Sequence, residues 1–230
     1  MADTDVILLH GALGDAGQLA PLATRLANAY RVTVLELEGH GATPLRGGPL
    51  RIESFASAVV DEMDRRDIAR ASFFGYSMGG YVALFLAATA PDRVARVCTL
   101  ATKLAWTPEV AERECAMLDP TMIRAKVPKF AAALEARHTA AGWEALLAHT
   151  AELLRELGER PRVTEALLAS IAQPVRIGVG DRDATVTIDE SAAAARRLAQ
   201  GELEVHPRTP HPFEKAPMER IANSVTEFFS

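Results

Sequence analysis

Short apolar runs recur along the chain, separated by longer stretches with helical spacing. The runs are Val6–His10 (VILLH), Val32–Leu37 (VTVLEL), Ala71–Tyr76 (ASFFGY), Val94–Thr99 (VARVCT), Val175–Val179 (VRIGV) and Leu203–His206 (LEVH). Most are apolar at successive positions rather than at alternate ones. Strands of that kind belong to a parallel sheet covered by helices on both faces. Their alternation with helix-length segments predicts an α/β fold with a mainly parallel, doubly wound sheet of about six strands. Thr187 with Glu190 makes a capping box ahead of a helix expected over Ser191–Gln200. Pro217 suits the first turn of a helix over Met218–Phe229, with Glu219 near its positive end. Pro91 closes a helix that begins near Met78, and Pro44–Pro49 (PLRGGP) reads as a loop.

One stretch breaks this rhythm. Between Lys103 and Gln173 no strand is legible, and the pattern is of alanine-rich amphipathic helices. Thr107-Pro108 and Asp119-Pro120 read as N-cap plus first-turn proline, and Gly158 as a C-terminal stop. The expectation is one domain, with residues 1–103 and 174–230 as the α/β core and 104–173 as a helical insertion.

Composition narrows the class. The chain has 230 residues, 49% of them hydrophobic and 24% charged, with a formal net charge of −5. That length buries roughly 70–75% of the unfolded chain's surface. With a pI of about 5.7 there is no basic excess to neutralise phosphates, so no nucleic-acid partner is expected. The opening Met-Ala-Asp-Thr-Asp has no basic run before an apolar stretch, and no apolar run approaches a membrane span. The two cysteines, Cys98 and Cys115, have no metal-type spacing and are expected to be buried or idle. A cytoplasmic protein is the simplest expectation.

The strongest chemical signal is Gly75-Tyr76-Ser77-Met78-Gly79-Gly80, which follows an apolar strand and opens a helix. A nucleophilic serine needs a tight strand-to-helix turn that exposes its hydroxyl. Glycines on either side let backbone approach closely, and the helix N-terminus favours developing negative charge. A serine alone is a weak nucleophile and needs a base oriented by an acid. Gly180-Asp181-Arg182-Asp183 after the fifth strand and His211 after the sixth can supply them. The first strand ends in His10-Gly11-Ala12-Leu13-Gly14. A backbone N–H from Ala12, or alternatively Leu13, would join that of Met78 to make an oxyanion hole.

These segments, with Glu38-Gly39-His40-Gly41 after the second strand, make the chain resemble the α/β-hydrolase superfamily over almost its whole length. The order Ser, Asp, His matches that family. The resemblance implies Ser77 as nucleophile, Asp183 as acid and His211 as base. Asp183 stands three residues after the glycine that ends its strand, as the family's acid usually does, and Asp181 is its rival. His206 competes with His211 but lies at the strand end. His211 stands between Pro210 and Pro212, where many relatives have a glycine before the histidine. Glu36 and Thr43 replace the aspartate and serine that often bound the loop after the second strand. The antiparallel strands that open many members are expected to be absent, since the first apolar run begins at Val6. His10 and His40 read as structural residues, and His138 and His149 as solvated residues on insertion helices.

The resemblance further implies that the insertion is a lid. Leu13, Leu104, Trp106, Met117, Phe130 and Trp143 are candidates for an apolar substrate pocket, with Leu134 beside them, although any of the lid residues can instead join lid helices together. The implied activity is hydrolysis of a carboxylic ester or thioester with a small to medium apolar acyl group, through an acyl-enzyme. No metal and no cofactor is implied, and the partner is a small-molecule substrate. Monomer and homodimer stay equally open. The elbow also resembles that of the superfamily's menaquinone-pathway lyase, for whose anionic substrate Arg113, Arg124 and Arg137 are candidates. Haloperoxidase-like perhydrolysis and a non-catalytic binding protein on the same scaffold are further alternatives.

Overall fold

The computed structural model describes residues 4–230; Met1–Asp3, the start of the segment read for a leader, lie outside the described residues. Six strands carry the sheet: β1 (Asp5–Leu9), β2 (Arg31–Leu35), β3 (Ala71–Tyr76), β4 (Val94–Leu100), β5 (Val175–Gly180) and β6 (Gly201–His206). Their spatial order is β2-β1-β3-β4-β5-β6, and every pairing is parallel. Five helices pack around it: α1 (Ala20–Leu26), α2 (Ile52–Arg65), α3 (Met78–Thr89), α9 (Ile188–Arg197) and α10 (Met218–Phe229). Between β4 and β5 run α4 (Pro108–Cys115), α5 (Pro120–Lys126), α6 (Pro128–Arg137), α7 (Trp143–Glu159) and α8 (Glu165–Ser170).

The sheet follows from the apolar runs. β1 and β3 are buried at every position, whereas edge strand β2 is half-buried and edge strand β6 is largely open and carries Glu202 and Glu204. Charges on an edge discourage pairing with other chains. Successive side chains on a strand point to opposite faces, so the sheet separates two cores. Ile7, Leu9 and Phe73 join α2 and α3 on one side. Val6, Leu8 and Phe74 join α1 and α10 on the other. The later half of α7 and α8 add Leu153, Leu157 and Leu168 to the first core, while Ile123, Leu134, Trp143 and Leu147 make a small cluster of their own among α5–α7.

Local signals set most helix ends. Thr107 accepts from the Val110 N–H, Asp119 from Thr121 and Met122, and both are followed by proline at the first helical position. The Thr187–Glu190 capping box is present, but it opens α9 immediately, at Ile188, three residues ahead of the expected start. Gly158 departs from its expected role. It lies inside α7, where a Cβ would sit 2.6 Å from Ala111 Cβ and 2.9 Å from the Thr107 carbonyl oxygen. Its missing side chain lets α4 and α7 approach, rather than ending a helix. No described helix is long and apolar enough to cross a membrane.

Strand order reverses between β1 and β3, since the chain runs outward from β1 to β2 and then returns to the other side of β1. In open parallel sheets, ligands bind in the crevice at the carboxyl ends of the strands at such a switch point. The turns after β1 and β3 flank that crevice.

Candidate active site

Ser77 occupies the turn between β3 and α3 with φ 50° and ψ −115°, a conformation rare for a residue with a side chain. Its surroundings impose the strain. The Ser77 N–H donates to the Leu100 carbonyl at 2.8 Å, and Thr102 Oγ1 donates to the Ser77 carbonyl at 3.1 Å. The turn closes tightly because a Cβ on Gly75 would lie 2.3 Å from the Gly80 nitrogen. Likewise a Cβ on Gly79 would lie 2.2 Å from the Leu9 carbonyl oxygen, so α3 starts hard against the end of β1.

The loops after β5 and β6 meet in the same way. A Cβ on Gly180 would fall 1.9 Å from the Thr209 carbonyl oxygen. Arg182 N–H donates to that oxygen at 3.2 Å, and Thr209 N–H donates to Asp181 Oδ1 at 3.1 Å. Asp181 therefore ties the base of the His211 loop. Asp183 faces the imidazole: His211 Nδ1 lies 2.8 Å from Asp183 Oδ2 and 3.1 Å from Oδ1. The Asp183 side chain is fully buried, and Oδ1 also accepts from the Thr185 and Val186 N–H groups, each at 2.8 Å. A carboxylate facing Nδ1 makes that nitrogen the proton-bearing one. His206 is buried at the end of β6, with Nδ1 3.7 Å from Glu204, and is remote from this pair in role and neighbours.

Ser77 and His211 line a common cavity of about 350 Å³, together with Ala12, Leu13 and Met78. Ala12 and Leu13 are the central residues of a turn in which Gly14 N–H donates to the Gly11 carbonyl at 3.1 Å, so the turn itself leaves their N–H groups uncommitted. Met78 is the first residue of α3, where backbone N–H groups have no intrahelical acceptor. Ala12, Leu13 and Met78 thus line the cavity together with Ser77.

The helices between β4 and β5 form the other wall. Trp106, Met117 and Phe130 stand on it, with Met117 and Phe130 partly exposed. Leu104 and Trp143 do not. Leu104 lies in a separate shallow depression beside Val163 and Ala194, and Trp143 is buried with Leu134 and Leu147 among α5–α7. The resemblance to a lid made both pocket candidates, but each packs against other helices rather than the cavity. The cavity instead uses a stripe of α7, Leu153, Leu154 and Leu157, whose spacing is that of one helix face. Arg113 is largely exposed, Arg124 pairs with Glu144 and lies over the Trp143 ring, and Arg137 engages Leu13 and Asp15. None of the three lines the cavity.

Several supporting residues carried no local signal. Tyr76, the last residue of β3, donates its hydroxyl to the His211 carbonyl at 2.9 Å and packs on Phe213, with ring centroids 5.1 Å apart. Burial pushes its phenol pKa up, which keeps it a donor. Glu190, beyond its capping role, accepts from the Leu104 N–H at 3.0 Å and pairs with buried Lys103 at 3.4 Å. Both contacts anchor the exit from β4. Glu36 accepts from the Ala16 N–H at 2.7 Å and the Ala42 N–H at 3.2 Å, bridging the loops after β1 and β2.

The histidines sort by burial. His10 sits beneath the turn after β1, with Nδ1 2.8 Å from the Gly11 carbonyl and Nε2 accepting from the Leu37 N–H at 3.1 Å. His40 Nδ1 lies 2.9 Å from the Glu38 carbonyl. His138 is not solvated: it is 1% exposed, because its ring fills the space between the Leu13 and Gly41 backbones. His149 is half-buried, 3.5 Å from Glu152. Cys98 and Cys115 are free and buried, and burial holds the Cys98 thiol pKa up at about 12. Among the described residues no group of three or more His, Cys, Asp or Glu side chains is arranged to hold a metal ion.

Comparison with known proteins agrees with this architecture. An esterase of Escherichia coli (strain K12), YbfF, is 31% identical over 98 residues, covering 43% of this chain and 38% of the esterase. A pimeloyl-[acyl-carrier protein] methyl ester esterase of Neisseria meningitidis is 37% identical over 97 residues, covering 42% of this chain and 36% of that protein. The matched stretches thus span little more than a third of these relatives. The enol-lactonase of Burkholderia xenovorans LB400 superposes over 100% of this chain and 92% of its own, with a TM-score of 0.82 at 22% identity, a likeness of fold. The family model described as alpha/beta hydrolase fold matches residues 5–210, which span all six strands and end one residue before His211, and the chain belongs to that family.

Proposed function

We propose that the protein is a serine hydrolase acting on a carboxylic ester or thioester with a small to medium apolar acyl group. One observation carries the reading: a fully buried carboxylate bonded to His211 Nδ1, with His211 and Ser77 sharing one largely apolar cavity. With its proton held at Nδ1 by Asp183, the imidazole keeps the Nε2 lone pair for the Ser77 hydroxyl. Ser77 attacks the acyl carbonyl while His211 takes its proton. The carbonyl oxygen becomes an oxyanion received by the N–H groups of Met78 and Ala12, each such donor being worth about 3–4 kcal/mol in comparable sites. His211 then protonates the leaving alcohol or thiol. Water, deprotonated by the same imidazole, releases the acid from the acyl-enzyme and returns the proton to Ser77.

The esterase names of the two relatives support ester chemistry, although they bear on a minority of their own length. In this reading the helices between β4 and β5 act as a lid that excludes water and sizes the acyl group. A cavity of about 350 Å³ walled by Trp106, Leu153 and Leu157 suits a short apolar chain. The engagement of Arg113, Arg124 and Arg137 elsewhere weighs against a multiply anionic lyase substrate. The test is labelling with a fluorophosphonate, followed by p-nitrophenyl and thioester substrates of increasing acyl length. Ser77→Ala should lose both labelling and turnover by at least about a thousandfold while melting like the parent. Undiminished turnover in that variant would sink the mechanism.

A further inference from the structure

We propose that His138 and Arg137, adjacent at the C-terminal end of α6, are positioning residues for the oxyanion-binding turn and act through the carbonyl of Leu13. The proposal rests on the serine-hydrolase reading above. Leu13 has φ 60° at the third position of the Gly11–Gly14 turn, where such geometry favours glycine. A leucine stays in the left-handed region only where its surroundings hold it there.

The structure identifies the holders. The Leu13 carbonyl accepts from Arg137 Nη1 at 3.0 Å and lies 3.1 Å from His138 Nε2. The other imidazole nitrogen, Nδ1, accepts from the Gly41 N–H at 3.0 Å. These two contacts define the neutral Nε2–H form of His138, donating to Leu13 and accepting from Gly41. One buried ring therefore joins α6 to the loops after both β1 and β2. Arg137 adds a second tether, 3.5 Å from Asp15, the residue that caps the turn at Gln18. From beneath, His10 holds the Gly11 carbonyl, and His40 lies between His10 and His138 with ring centroids 4.9 and 5.8 Å away.

If Leu13 left the left-handed region, the turn would relax and the N–H groups of Ala12 and Leu13 would swing with it. Oxyanion geometry is thus coupled to the seating of a helix outside the sheet. The covering helices and the donor turn behave as one unit, because α6 has to be in place for the donors to be aimed.

The test compares Arg137→Met, His138→Phe and His138→Gln in the full-length protein. Gln retains an amide donor near the position of Nε2, whereas Phe keeps the ring volume without it. Readouts are kcat and KM on p-nitrophenyl butyrate, inhibition by a trifluoromethyl ketone, and the melting temperature. The ketone forms a tetrahedral adduct with the serine that needs the oxyanion donors, so its affinity reports their alignment. Arg137→Met and His138→Phe should each lower kcat about tenfold with KM within about twofold, and weaken the ketone by a matching factor. His138→Gln should recover most of both. Arg137 is partly exposed, so its variant remains informative if His138→Phe folds poorly. Unchanged kcat and ketone affinity with a lowered melting temperature would overturn the proposal, leaving only a structural role. Equal losses in the Phe and Gln variants would overturn it too. A parent protein inert toward both ester and fluorophosphonate would remove the hydrolase reading, and this proposal with it.

Discussion

At the scale of single residues, the candidate chemistry depends on which atom of His211 bears the proton. Asp183 decides this because its oxygens have no other solution. Oδ1 is occupied by two backbone N–H groups, and the His211 Nδ1 is the donor within 2.8 Å of Oδ2. Asp183→Asn keeps the shape and can keep Oδ1 as acceptor. Its amide then turns N–H toward Nδ1, so the imidazole has to move its proton to Nε2 and no longer offers a lone pair to Ser77. We expect kcat to fall by about 10³–10⁴ with the fold retained. Steady-state kinetics beside a thermal melt checks this, and a loss smaller than tenfold would remove Asp183 from its assigned role. The neighbouring Asp181, by contrast, bonds the Thr209 backbone and holds the loop rather than the ring.

At the scale of elements, α4 and α7 illustrate a competition that only tertiary structure resolves. Replacing Gly158 by Ala inside a helix should gain about 1 kcal/mol in propensity. Here the added methyl would meet Ala111 Cβ at 2.6 Å and the backbone of Thr107 at 2.9 Å, and Thr107 caps α4. Overpacking of this kind costs about 1–3 kcal/mol, and parting the two helices also disturbs the cap. The cost prevails, so Gly158→Ala should lower the melting temperature by a few degrees, and Ala111→Gly in the same chain should restore part of it. A rise in melting temperature would show that propensity wins. The same pair of helices marks the limit of what the sequence alone discloses. The strands were legible because β1, β3 and β5 are apolar at nearly every position, a pattern that needs no partner to be read. The loops that bring Ser77, Asp183 and His211 together were legible from the elbow motif after β3 and from the resemblance of the order Ser, Asp, His to the family's. Gly158 was misread because a glycine near a helix end looks locally like a stop. Leu104 and Trp143 went astray because an apolar residue's place in the insertion does not say whether a helix or a cavity lies opposite it. His138 carried no signal at all, since both of its partners are backbone groups nearly a hundred residues or more away in sequence.

At the scale of the whole molecule, burying imidazoles makes stability depend on pH. His10, His40, His138 and His206 all have pKa values lowered in the folded protein, in each case chiefly because burial disfavours the charged ring. Glu36 and Asp15 pull the other way on His10 and His138, as Glu204 does on His206. The neighbouring rings and Arg137 reinforce the depression in the first cluster, and Arg220 and Arg176 do so at His206. The backbone N–H groups accepted by His10 Nε2 and His138 Nδ1 act in the same direction, since a proton on either would leave two donors facing each other, while the bonds to the Gly11, Glu38, Leu37 and Leu13 carbonyls oppose it without overcoming burial. The unfolded chain takes up protons at these residues near the ordinary value of about 6.5, while the folded chain resists until the pH is lower. Between those two values the unfolded state binds more protons, so unfolding becomes easier as the pH falls. The contribution of these residues is therefore complete above about pH 6.5 and is lost below it, with a slope of up to about 1.4 kcal/mol per pH unit for each residue involved. Thermal melts at pH 8, 7, 6 and 5 should show a plateau followed by a fall that begins well before the carboxylates titrate. A melting temperature that is level or rising from pH 7 to pH 5 would contradict it. The loss should start where three of these rings meet, because His10, His40 and His138 join the turns after β1 and β2 to α6. In that case activity on a simple ester, measured after brief incubation at pH 5.5 and return to pH 8, should recover fully, as expected if protonation loosens this junction before the sheet unfolds.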